Sequence, residues 1–169
     1  FKQKPAYEIG VRLVGSEMCI RDSCDADLSV PIEQVELLLP PVAPDGDIVL
    51  GSREMPSAVR IGEPSRRHFM GRAFNRLVTL LAVPGLADTQ CGFKCFRAQA
   101  AQELFSRVTV HGFAFDVELF YLARKLGLTY SEVGVDWYYR SQSKVRPLQD
   151  SLGMTVDLVK IRWRHRNSL

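Results

Sequence analysis

The chain has 169 residues, 46% of them hydrophobic and 24% charged, a balance that fits a folded globular protein and excludes disordered, collagen-like and disulfide-stapled classes. Its formal charge of +3 is too mild to argue for nucleic acid by itself. No apolar run reaches the roughly eighteen residues needed to cross a bilayer, and no stretch has the pattern of a signal peptide.

Residues 1–23 stand apart from the rest. Arg12-Leu-Val-Gly-Ser-Glu-Met-Cys-Ile-Arg-Asp-Ser23 resembles an in-frame translation of a sequencing-library adapter, and Lys2-Gln-Lys-Pro-Ala-Tyr-Glu-Ile9 resembles the other end of the same primer. Glu8 to Val14 would otherwise pass for a short strand. The segment is therefore expected to be non-native, in the way a cloning scar is, and is set aside in reading the fold. The remaining residues are expected to divide into 24–149, part of an α/β domain, and 150–169, a basic amphipathic helix.

Asp25-Ala-Asp27 comes next, two carboxylates one residue apart. Such a pair can share a hard divalent cation, magnesium or manganese, whose other positions go to water and substrate phosphates. Asp also favours turns and helix starts, so the pair alone does not decide. Ile32, Val35, Leu38 and Leu39 predict a helix entered at Pro31 and stopped at Pro40-Pro41, which puts both aspartates on a strand-to-helix loop.

Asp47 to Leu50 reads as a short buried strand, with Arg53 emerging at its C-terminal end, where open α/β sheets place ligands. The longest helical pattern runs from about Pro64 to Val83, with Phe69, Ala73, Leu77 and Leu81 on one stripe. Arg72 and Arg76 read as its solvated face. Asp88 to Arg97 reads as a loop entering a strand, with Gly92 allowing close backbone approach and Cys91 and Cys95 as reduced core thiols. Two helices come after it, Ala98 to Val108 and Asp116 to Leu126, the second capped by Gly127. Asp116 suits either the dipole at the helix start or a catalytic pocket.

Leu128 to Tyr139 alternates as a strand, and Arg140 to Pro147 is a basic loop. Leu152, Val156, Val159 and Trp163 then share a stripe flanked by Lys160, Arg162, Arg164 and Arg166. That last helix suits an anionic membrane surface or packing against the domain.

Taken together, Asp25-Ala-Asp-Leu-Ser29, Gly51-Ser-Arg53, Ser65-Arg-Arg67, Asp88-Thr-Gln-Cys-Gly-Phe-Lys94, Phe113-Ala-Phe-Asp-Val-Glu-Leu119 and Ser143-Lys-Val145 resemble the family-two glycosyltransferases that load a sugar onto a polyprenyl phosphate, most closely the dolichyl-phosphate beta-glucosyltransferase group. The resemblance runs from about Cys24 to near the C-terminus. It implies the C-terminal part of a Rossmann-like GT-A domain, with the base-binding N-terminal part missing and the chain as it stands inactive. It implies inverting transfer of a sugar, glucose from UDP-glucose foremost, to a polyprenyl or dolichyl phosphate.

Residue by residue, the resemblance assigns the metal to Asp25 and Asp27, and the donor to these with Asp88, Gln90 and Gly92. The acceptor phosphate goes to Arg53, Arg67, Arg140 and Lys144, and a catalytic role to Asp27 and Asp116. Some relatives carry a Gln two residues after the second Asp; here Ser29 stands there. Peripheral association with the cytoplasmic face of a membrane is expected, and no nucleic-acid partner. A related transferase using GDP-mannose or a non-lipid acceptor, and an inert fragment that only meets a membrane, are the alternatives.

Overall fold

The computed structural model describes residues 20–23, 28–110, 112, 114–139 and 147–166. Its ten elements are, in order, β1 Ile20–Ser23, β2 Ile48–Ser52, β3 Val59–Ile61, α1 Ser65–Leu81, β4 Lys94–Arg97, α2 Ala98–Phe105, α3 Phe115–Lys125, β5 Tyr130–Gly134, β6 Asp136–Tyr138 and α4 Pro147–Arg164. A 3₁₀ helix, Ile32–Leu38, lies between β1 and β2. This is mixed α/β, as expected, and consistent with a GT-A-like domain.

The main sheet has the order β1-β4-β2-β5. β4 runs antiparallel to both its neighbours, while β2 and β5 are parallel, with Ile48 opposite Tyr130 and Ser52 opposite Gly134. β1, four residues of the segment expected to be non-native, pairs with β4 from Ile20–Arg97 to Ser23–Lys94. β3 and β6 form a separate parallel pair.

β2 is buried throughout, and its alternation feeds two cores. Ile48 and Leu50 join Phe96, Val78 of α1, Leu104 of α2, Val117 and Phe120 of α3 and Leu158 of α4. Val49 faces the other way, with Phe93, Cys95, Val30, Leu38, Val135 and Trp137. Helices thus cover one face of the sheet, and the 3₁₀ segment with β6 covers the other. Gly134 ends β5 where a Cβ would stand 2.2 Å from Ser57 Oγ and 2.8 Å from Ala58 N, so only glycine lets the 55–58 turn approach.

Four expectations are corrected. The segment after Pro31 is 3₁₀, not α, closed by i to i+3 bonds such as Gln34 N–H to Pro31 O at 3.1 Å. Seven residues before a Pro-Pro stop are too few for a cooperative α-helix. Gln34 also pins the segment to β6, donating to Asp136 O at 3.1 Å and accepting from Asp136 N at 2.8 Å.

The strand predicted over 128–139 breaks at Val135, which turns inward to the second core while Asp136–Tyr138 pairs with β3 instead. Phe69 is not core but 75% exposed; among the described side chains α1 reaches the core at Val78, followed by Ala82 and Val83 just past its end.

α4 buries Leu158 and Ile161, while Val156, Val159 and Trp163 of the predicted stripe lie on its open side. The helix therefore packs on the domain and still presents an apolar face. α3 ends as expected: Gly127 takes φ +70°, and Leu128 N–H reaches Ala123 O at 2.9 Å in a Schellman-type cap.

Candidate active site

The C-terminal ends of β2 and β5 and the start of β4 converge on one edge of the sheet, and the residues 88–94 cross it. Arg53, the first residue beyond β2, is expected to meet an acceptor phosphate. Its Nε donates to Asp88 Oδ2 at 2.7 Å and its Nη2 to Asp88 Oδ1 at 2.9 Å, while its backbone N–H donates to Oδ2 at 3.0 Å.

Asp88 also accepts from Gln90 N at 3.2 Å. Burial alone would raise the Asp88 carboxyl, but the Arg53 charge and these hydrogen bonds outweigh it and hold the group down to about 2. Burial works against the Arg53 charge too, and Asp88 reverses the balance, leaving the guanidinium above its ordinary value. Trp137 of β6 lies under Arg53, with Cζ 5.4 Å from the ring centroid. The Arg53 side chain keeps 22% of its surface open.

Two supports fix this pair. Glu132 of β5 accepts Ala87 N at 2.8 Å and Asp88 N at 2.9 Å, setting the approach of the loop. Arg60 donates to Arg53 O at 3.1 Å and is itself held by Glu63 and Glu54. Beyond Asp88 the loop turns inward. Thr89 is fully buried, and Gln90 Nε2 is buried without a hydrogen-bond partner among the described residues. An amide donor in that state suits a ligand oxygen. Cys91 is a buried thiol pushed up to about 11, first by burial and then by Asp88, which makes it an inert packing residue.

At the other end of the same run, Lys94 is 1% exposed, yet it opens a strand. Its ammonium donates to Asp116 Oδ1 at 2.9 Å and to Cys91 O, with Phe120 5.8 Å away by ring centroid. Asp116, in the first turn of α3, keeps 24% of its side chain open.

The described site residues thus fall into two pairs, Arg53 with Asp88 and the unforeseen Lys94 with Asp116, joined by the turn that carries Gln90 and Gly92. Asp25, Asp27, Arg140 and Lys144 lie outside the described residues, as does the side chain of Arg67, whose backbone is in α1. Among the described residues no group of three or more His, Cys, Asp or Glu forms a metal-type cluster. Sequence reasoning missed Glu132, Trp137 and Lys94. For Lys94 a signal existed: a lysine between Phe93 and Cys95 in an apolar strand has to be paired to be buried.

A mixed sheet with charged pairs gathered at one edge, where α/β sheets bind ligands, is consistent with a sugar-transferring GT-A-like domain. No family model matches the chain. Individual relatives do. The chain is 38% identical over 123 residues to a dolichyl-phosphate beta-glucosyltransferase of Dictyostelium discoideum, covering 72% of this chain and 38% of that protein.

Proteins of the same name from Drosophila melanogaster and Mus musculus match at 37% and 36% identity over 155 residues, covering 89% of this chain and 48% of each relative. Over most of its length the chain is a homologue of the dolichyl-phosphate beta-glucosyltransferases, a group of family-two glycosyltransferases. It spans half or less of the length of these relatives.

Proposed function

We propose that the chain carries the C-terminal part of a metal-dependent, inverting hexosyltransferase of GT-A fold, moving glucose from UDP-glucose to a dolichyl or polyprenyl phosphate. The observation that carries this reading is the coincidence of the homology with the site: the Asp88–Lys94 run holds both buried charged pairs at the ligand-binding edge of the sheet.

In this reaction the anomeric carbon loses its bond to the nucleoside diphosphate and gains one to an oxygen of the lipid phosphate, so a UDP-α-sugar gives a β-linked product. The acceptor is already ionised near neutral pH, so a strong base is not required. Asp25 and Asp27 would hold magnesium or manganese, which when bound neutralises charge on the departing diphosphate.

Arg67, Arg140 and Lys144 are proposed to hold the acceptor phosphate, with the open part of Arg53 beside them; a guanidinium fork suits phosphate oxygens. Gln90 and Gly92 are assigned to the donor side, where the unsatisfied amide would find a sugar or phosphate oxygen.

Among the described residues no helix is long and apolar enough to cross a membrane. A peripheral position on the cytoplasmic face is proposed through α4, whose exposed Val156, Val159 and Trp163 stand among Lys160, Arg162 and Arg164. The test is a transfer assay with the full-length protein, radiolabelled UDP-glucose and a short polyprenyl phosphate, with and without chelator. Label in the lipid phase that is lost on chelation supports the reading, and transfer only from GDP-mannose, or to a non-lipid acceptor, would replace it.

A further inference from the structure

We infer that Lys94 is a positioning residue, tying Asp116 to the Asp88–Cys91 turn so that α3 and the turn keep one geometry. The inference rests on the proposed transfer reaction. Lys94 is too buried to touch a substrate, at 1% exposure. Its charge nevertheless has to be compensated, and the groups that do so belong to different parts of the site. Asp116 Oδ1, at 2.9 Å, comes from α3, and the Cys91 carbonyl comes from the turn that bears Asp88 and Gln90. The Phe120 ring, one turn along α3 from Asp116, lies 5.8 Å from the ammonium.

Register adds two strands: Lys94 lies opposite Leu50 of β2 and opposite Ser23, the last residue of β1. A single buried cation therefore sits at the point where β1, β2, the turn and α3 meet. Two acidic residues of the proposed site, Asp88 and Asp116, are drawn from the last two of these segments.

Asp116 is the member of the pair that remains open, at 24%, so whatever Lys94 does for a reaction it does through Asp116 and the turn. Lys94 forms two directed bonds, one to α3 and one to the turn. Methionine in its place fills a similar volume and makes neither. The fold then survives while Asp116 and the turn gain freedom, and misplacement of this kind costs rate more than binding.

The test uses the full-length protein in the transfer assay. Lys94→Met is expected to lower kcat on the order of tenfold to a hundredfold, with KM for nucleotide sugar and for acceptor within about twofold of the parent. Lys94→Met combined with Asp116→Asn is expected to be no slower than Asp116→Asn alone, because residues that act as a unit do not add. An unchanged kcat in Lys94→Met, or losses that multiply in the double variant, would overturn the inference.

If Lys94→Met does not fold, the double variant, which leaves neither charge unpaired, carries the comparison against Asp116→Asn alone with the same two outcomes. A fully active Asp116→Asn would instead remove Asp116 from the reaction and so overturn the site reading beneath the inference. An inactive Asp116→Asn beside a fully active Lys94→Met overturns the positioning role alone.

Discussion

Arg53 and Asp88 meet through both ends of their planar groups, Nε to Oδ2 at 2.7 Å and Nη2 to Oδ1 at 2.9 Å, with Asp88 almost wholly buried. Breaking a buried pair by removing one partner leaves the other charge uncompensated, so Asp88→Asn is expected to cost about 3 kcal/mol of stability. The pH dependence has a fixed sign. The folded carboxyl is held at about 2 against an ordinary 3.8, so its contribution is present above the ordinary value and is lost as pH falls through about 2. Denaturant unfolding monitored between about pH 5 and 2 will show this loss in the parent and not in Asp88→Asn. Equal acid limbs would show that the pair does not control acid stability.

The sequence made some of this arrangement readable. The strand at Asp47–Leu50 announces itself by a short apolar run between turns, and Arg53 is placed at its end by simple counting. Gly127 marks the stop of α3, and α1 begins and ends within two residues of its reading. The unreadable part depends on contacts distant in sequence. Nothing local to 32–38 says that Gln34 will clasp Asp136, 102 residues away, and hold a tight 3₁₀ turn. α4 carries two apolar stripes, and only the partner surface of the domain selects Leu158 and Ile161 over Val156 and Val159. The pairing of Arg53 with Asp88, 35 residues apart, and of Lys94 with Asp116 turns four separately noted or overlooked residues into two units.

A second prediction concerns Glu118, which is fully buried two residues beyond Asp116. Its carboxylate accepts Thr109 N at 2.9 Å, Thr109 Oγ1 at 2.8 Å and Val110 N at 2.7 Å, and lies 2.7 Å from His165 Nε2 just past α4. Glu118→Ala takes the acceptor from the buried Val110 N–H and the partly buried Thr109 N–H and one partner from His165, and is expected to destabilise the protein by about 1 to 3 kcal/mol. Hydrogen exchange should show the 106–110 loop and the end of α4 losing protection together. Loss confined to one of them would mean that Glu118 does not couple the two.

Asp27→Asn tests the metal assignment. Loss of a ligand to a charge-neutralising cation is expected to reduce turnover of the full-length protein by roughly three orders of magnitude while leaving the fold intact. Retention of a tenth of the parent activity at saturating magnesium would remove Asp27 from the metal site.

Arg67→Ala separates acceptor from donor. A charge-assisted contact contributes about 1.5 to 3 kcal/mol, so kcat/KM for polyprenyl phosphate is expected to fall at least about tenfold, with little change in nucleotide-sugar affinity. A fall in donor affinity with unchanged acceptor kinetics would assign Arg67 to the nucleotide instead.

The last prediction comes from the two faces of α4. Leu158 and Ile161 fasten the helix to the core, so Trp163 at 78% exposure, Val159 at 63% and Val156 at 55% are not awaiting that core. Arg162 and Arg164 beside them supply positive charge, each worth about 1 kcal/mol near an anionic bilayer, while Lys160 is paired with Asp157 at 2.8 Å. Apolar side chains entering the headgroup region add a term that scales with the area they bury.

Vesicles containing anionic lipid are therefore expected to bind the protein at least about tenfold more tightly than neutral ones, with a blue shift of tryptophan emission. Trp137 is buried, so the shift reports Trp163 and should vanish in Trp163→Ser. Raising salt should weaken binding by screening the basic residues while leaving the residual apolar term. Binding that ignores both lipid charge and Trp163→Ser would mean that this face of α4 meets something other than a membrane.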